Sequence, residues 1–107
     1  MFDRARFEEV TGGDPEAARE IAELLTVEAR ELLGEMETAL AAGDEEVVQR
    51  TAHSMKSSLA SVGAPTASSI AARIEKGGLA AAREEIGAFR REVDAAIAAL
   101  DDYVSRI

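Results

Sequence analysis

Apolar residues recur along this chain at steps of three and four, the spacing of one helix face, and no stretch alternates as a half-buried strand would. Gly, Pro and Asp positions interrupt the steps and divide the pattern into segments. Asp3 to Val10 is predicted as a short helix, ended by Thr11-Gly12-Gly13-Asp14-Pro15. Asp14 suits an N-cap and Pro15 the first helical position, so a long helix is predicted from Pro15 to about Ala42. Its apolar stripe reads Ile21, Leu24, Leu25, Ala29, Leu32, Met36 and Leu40. Gly43 ends it as a left-handed cap, and Asp44 caps the next helix. That helix runs to about Val62, with Val48, Ala52, Met55, Leu59 and Val62 facing inward and Glu45 and Glu46 in the first turn, where the helix dipole favours negative charge. Gly63 stops it. Pro65 opens a shorter helix to about Lys76, lined by Ala67, Ile70, Ala71 and Ile74. After a tight Gly77-Gly78 turn, the last helix extends from Leu79 towards Val104 through Leu79, Ala82, Ile86, Phe89, Val93, Ala96 and Leu100.

The last stripe has a heptad-like rhythm, which a coiled coil would also show. Four long stripes joined by short turns favour instead an all-α, antiparallel up-down four-helix bundle with a short extra N-terminal helix, residues 1–107 forming a single domain. With 47% hydrophobic residues but only 4% aromatic, the core must be built from Ala, Leu, Ile, Val and Met. Cysteine is absent, which excludes disulfides and thiolate metal sites. The charged start, Met1-Phe2-Asp3-Arg4-Ala5-Arg6, does not fit a signal peptide, and no apolar run approaches the roughly 20 residues of a membrane span. A cytoplasmic protein is expected. The net charge of −9 disfavours nucleic acid, whose phosphates would be repelled.

Chemistry narrows to the single histidine, His53. On a helical wheel it falls about 160° from Met55, the centre of the core stripe, so it points outward. Glu46, Gln49, Arg50, Lys56, Ser57 and Ala60 share that outward half. Lys56, one turn on, can reach a group attached to the imidazole, and Arg50, one turn back, could add positive charge. A phosphoryl group on nitrogen would be stabilised by such cations, and small Ser57 and Ala60 leave room for a bulky partner. Composition and spacing leave two readings open: a phospho-accepting histidine, or a histidine that happens to lie on a solvated face. Other chemistries lack parts. A carboxylate di-metal bundle needs Glu-x-x-His pairs, a zinc site needs more ligands, and a Ser-His-Asp triad needs a pocket. No Gly-rich phosphate loop is present, so no metal or cofactor of its own is expected.

The stretch Ala52-His53-Ser54-Met55-Lys56-Ser57-Ser58-Leu59-Ala60-Ser61-Val62-Gly63-Ala64 resembles the signature of histidine-containing phosphotransfer domains. That family shows Ala, the phospho-accepting His, a hydrophobic residue, Lys one turn on, a small pair, and Gly-Ala at the helix end. Thr11-Gly12-Gly13-Asp14-Pro15-Glu16, Ala41-Ala42-Gly43-Asp44 and Ala72-Arg73-Ile74-Glu75 resemble its remaining segments, so the likeness covers nearly the whole chain. Ser57 stands where Gly is usual, and Met55 stands for Leu, a volume-conserving change.

The resemblance implies roles for three residues. His53 would be phosphorylated, and Lys56 would neutralise the phosphoryl group. Glu75, from the neighbouring helix, would accept a hydrogen bond from Nδ1 and leave Nε2 as the nucleophile. An ordinary surface carboxylate stays open as the alternative for Glu75. Gln49, Arg50, Ser57 and Ala60 would contribute to the docking face. The implied partners are response-regulator receiver domains, which would supply the aspartyl phosphate and Mg²⁺, or a sensor histidine kinase. The domain would be a monomeric phosphocarrier rather than an enzyme with its own ATP site. It would serve as a separate shuttle or as the phospho-accepting module of a larger kinase. A helical adaptor that binds a receiver without carrying phosphate is the rival function.

Overall fold

The computed structural model describes residues 2–107 and holds four helical elements: α1 Arg4–Thr11, α2 Pro15–Ala42, α3 Glu45–Ser61 and α4 Pro65–Ser105. Each start follows local chemistry. The carboxylates of Asp3, Asp14 and Asp44 accept from the backbone N–H groups of Arg6, Glu16 and Val47, satisfying donors that have no partner within the helix. At the end of α2, Gly43 takes φ 71°, and the Asp44 N–H returns to the Ala39 carbonyl at 2.9 Å.

The α4 element is a helical hairpin rather than one rod. Gly78 has φ 65° and ψ −144°, which breaks the helix. A continuous helix of its 41 residues would span about 60 Å at 1.5 Å per residue, whereas the longest dimension of the molecule is 42 Å. The bidentate pair between Arg73 and Glu85, at 2.7 and 2.8 Å, joins the two arms across the break. The arms, 65–77 and 79–105, match the two helices and the Gly77-Gly78 turn expected from the sequence.

Cross-helix partners give the topology. Arg19, Arg30 and Glu37 of α2 meet Ile107, Asp94 and Arg90 respectively, so α2 and the second arm of α4 run antiparallel. Glu28 and Glu35 of α2 meet Ser58 and Arg50 of α3, again in opposite directions. The result is an up-down-up-down four-helix bundle, with α1 across the end where α2 begins and α4 finishes. Phe7 of α1 is fully buried there, with its ring 5.6 Å from that of Tyr103 and 6.2 Å from that of Phe2.

The inward stripes of α3 and of the first arm of α4 are buried at every position expected: Val48, Ala52, Met55, Leu59 and Val62, then Ala67, Ile70, Ala71 and Ile74. On α2 the expectation needs correction. Leu24 is 69% exposed, and the core face is carried by Ala18, Ala22, Ala29, Leu33, Met36 and Ala39, with Ile21, Leu25, Leu32 and Leu40 flanking it. The alanines let neighbouring helices approach closely and turn the bulkier Leu24 outward. Among the described residues no helix is long and apolar enough to cross a membrane.

Candidate functional site

His53 lies midway along α3, between the fully buried Ala52 and Met55, which fix the rotation of the helix and turn His53 to solvent. Its side chain is 63% exposed. Glu75 follows the buried Ile74 on the first arm of α4 and leans over α3 from the side. Its carboxylate is shared. Oε2 lies 2.6 Å from His53 Nδ1, and Oε1 accepts from Lys56 Nζ at 2.7 Å. Because His53 and Lys56 are three residues apart, one turn of α3 sets both groups against one carboxylate.

That geometry determines the tautomer. The hydrogen bond from Lys56, and next that with His53, hold the Glu75 carboxyl below the usual glutamate range, against a smaller opposing effect of desolvation. An ionised carboxylate can only accept, so Nδ1 carries the proton and donates. In the neutral ring the lone pair is then on Nε2, which makes no hydrogen bond within the described protein. The site can present one oriented nitrogen nucleophile to whatever approaches α3, with an ammonium one turn away and a carboxylate behind the ring.

The other residues singled out in the sequence fall in different places. Ser57 and Ala60 are exposed on the His53 side of α3. Arg50 is directed to α2, where its guanidinium lies 2.6 Å from Glu35. Gln49 is half-buried, and its side-chain amide donates to the Glu75 backbone carbonyl at 3.0 Å. Ser68, which the sequence did not single out, donates from Oγ to the Lys56 carbonyl at 2.9 Å. Gln49 and Ser68 thus bracket the site with bonds between α3 and α4. Among the described residues no group of three or more His, Asp or Glu side chains is arranged to hold a metal ion.

Fold and site together give an up-down helical bundle with one outward imidazole oriented by a carboxylate of the neighbouring arm. A family model for the Hpt domain matches residues 20–102, and the chain belongs to the Hpt domain family, the histidine-containing phosphotransfer modules of signalling relays. Members are phosphocarriers rather than classical enzymes, and they work with receiver domains and kinases. Comparison with curated proteins and with solved structures finds no match.

Proposed function

We propose that this chain carries a phosphoryl group on His53 Nε2, taking it from the aspartyl phosphate of a receiver domain or from a partner kinase and passing it to another receiver. The observation that carries this reading is the 2.6 Å contact between Nδ1 and Glu75, which directs the free lone pair away from the bundle. In the transfer the Nε2 lone pair attacks phosphorus, and the bond from phosphorus to the aspartyl oxygen breaks. The carboxylate leaves with that electron pair. The ring, now bonded to phosphorus at Nε2 and to hydrogen at Nδ1, bears a positive charge that faces the Glu75 carboxylate. Return of the group to a second aspartate reverses each step.

Lys56 neutralises the phosphoryl oxygens, and Ser57 and Ala60 form the approach for the partner. Phosphoryl transfer asks mainly for in-line positioning and charge stabilisation. Oriented nitrogen and cation come from this chain; Mg²⁺ and the acid pocket come from the receiver. No cofactor of the domain's own is required, and it acts as a monomer.

The test is to charge the chain with phosphoramidate, or with receiver domains preloaded by acetyl phosphate, and to follow the label. Wild type should take up acid-labile, base-stable phosphate and return it to a receiver. His53→Gln should take up none while keeping its helical content. A receiver that binds the wild-type chain without ever exchanging phosphate would overturn this reading in favour of the binding-only adaptor.

A further inference from the structure

Glu75 lies three residues before Gly78, so the helical break falls within the turn that follows it. In an unbroken helix the Leu79 N–H would donate to the Glu75 carbonyl. Instead the Leu79 N–H donates to Glu45 Oε2 at 3.2 Å, and the Glu75 carbonyl accepts from the Gln49 side chain at 3.0 Å. The two halves of one interrupted backbone bond are therefore satisfied by two side chains of α3. Glu45, Gln49 and His53 follow one another at four-residue steps, with Lys56 one further turn on, so all four project towards the side from which α4 packs. Gly78 is buried, a Cβ on it would fall onto the Glu45 carboxylate, and its φ of 65° lies in the left-handed region that favours glycine.

We infer that Glu45 and Gln49 clamp the break in α4 and so hold Glu75 against His53, which makes Gln49 a positioning residue of the phosphotransfer site. The physical reason lies in the end of the arm. A helix end with free carbonyls frays, and a frayed last turn would let the Glu75 carboxylate wander from the ring. Gln49 grips the carbonyl of the very residue whose carboxylate orients His53, so backbone and side chain of Glu75 are fixed from the same face of α3. Glu45 holds the first amide of the second arm and sets where the break falls. The inference deepens the role proposed for His53, but its readout does not depend on phosphate.

His53 is the only histidine, so ¹⁵N labelling of histidine in the full chain gives one pair of ring signals and reports the tautomer directly. Gln49→Met keeps the side-chain length and removes the donor; it should shift the Nδ1–H to Nε2–H ratio by about two- to tenfold, the span of one neutral hydrogen bond. Glu45→Met should move it in the same direction, whereas Glu45→Gln, which keeps an acceptor for the Leu79 amide, should restore it. Ser58→Ala removes a comparable bond from α3 to Glu28 of α2 and should leave the ratio unchanged. Unaltered ring signals in folded Gln49→Met, or an equal shift in Ser58→Ala, would overturn the clamp. A wild-type chain with the Nδ1–H tautomer that takes no phosphate would sink the phosphocarrier reading and leave the clamp standing.

Discussion

Lys56→Met tests how the site handles charge. In the resting protein the Lys56 ammonium is not idle, because it lies 2.7 Å from Glu75 Oε1. Phosphorylation of Nε2 would bring about −1.5 to −2 charges one helical turn away, against the single charge of the carboxylate. The gain from moving Lys56 to the phosphoryl group is therefore a difference: roughly half to one additional unit of charge at about 4 Å. Lys56 is partly exposed, so the difference is of the size measured for exposed ion pairs, at most about 1 kcal/mol, and corresponds to about a two- to fivefold change in equilibrium. The assay partitions radiolabel between a phosphorylated receiver and this chain at equilibrium. Lys56→Met should move the partition about two- to fivefold towards the receiver without loss of helical content. A shift near a hundredfold would mean that Lys56 gives up no resting partner when it meets phosphate, and the exchange argument fails. No shift would place the phosphoryl group beyond its reach.

The lowered Glu75 carboxyl sets a pH signature: a folded value below the unfolded one stabilises the fold at and above the ordinary glutamate range, about 4.3, and is lost as pH falls through the folded value. Urea midpoints of wild type and Glu75→Gln should therefore differ at neutral pH and converge at acid pH, the gap being small because the carboxylate meets solvent; a constant gap would contradict the assignment. Ser57 is exposed beside His53, so Ser57→Tyr should weaken receiver binding by titration while Ser57→Gly is tolerated; full-strength binding by Ser57→Tyr would move the docking face elsewhere.

The bundle was legible because its punctuation is chemical. Asp14, Gly43, Asp44 and Gly78 act through their own backbone preferences and caps, which need no knowledge of neighbouring helices. The stripe of α3 was equally plain, because its outward face carries few apolar residues to compete with it. On α2, leucines at positions 24, 25, 32 and 33 allow more than one apolar stripe, and only packing against α3 and α4 buries Leu33 and leaves Leu24 outside. Rotation about the helix axis is decided by partners, and spacing within one helix cannot supply it. The same limit separates Arg50 from Lys56. Both lie one turn from His53, yet the register between helices gives Arg50 to Glu35 on α2 and Lys56 to Glu75 on α4. The bond from Gln49 to the Glu75 carbonyl was hidden for a further reason, since a backbone acceptor leaves no mark in the amino-acid sequence. The only trace was Glu45 and Gln49 at four-residue spacing, with a glycine pair later in the chain.

These observations make the site a by-product of core packing rather than of a pocket. Each polar group of the candidate site is next in sequence to a fully buried anchor: His53 to Ala52, Lys56 to Met55, and Glu75 to Ile74. The anchors fix the rotation of α3 and of the first arm of α4, and that rotation fixes where the polar neighbours emerge. One carboxylate then spans two groups a single helical turn apart, so a slip of α3 against α4 by a residue would break both contacts together. The carrier role proposed for His53 needs this arrangement. A nucleophile that must meet different partners cannot be enclosed, so it cannot be oriented by walls around it. His53 is oriented from below and from one side instead, by a helix whose inner face is in the core and by a carboxylate held on the neighbouring arm, and its side chain stays 63% exposed.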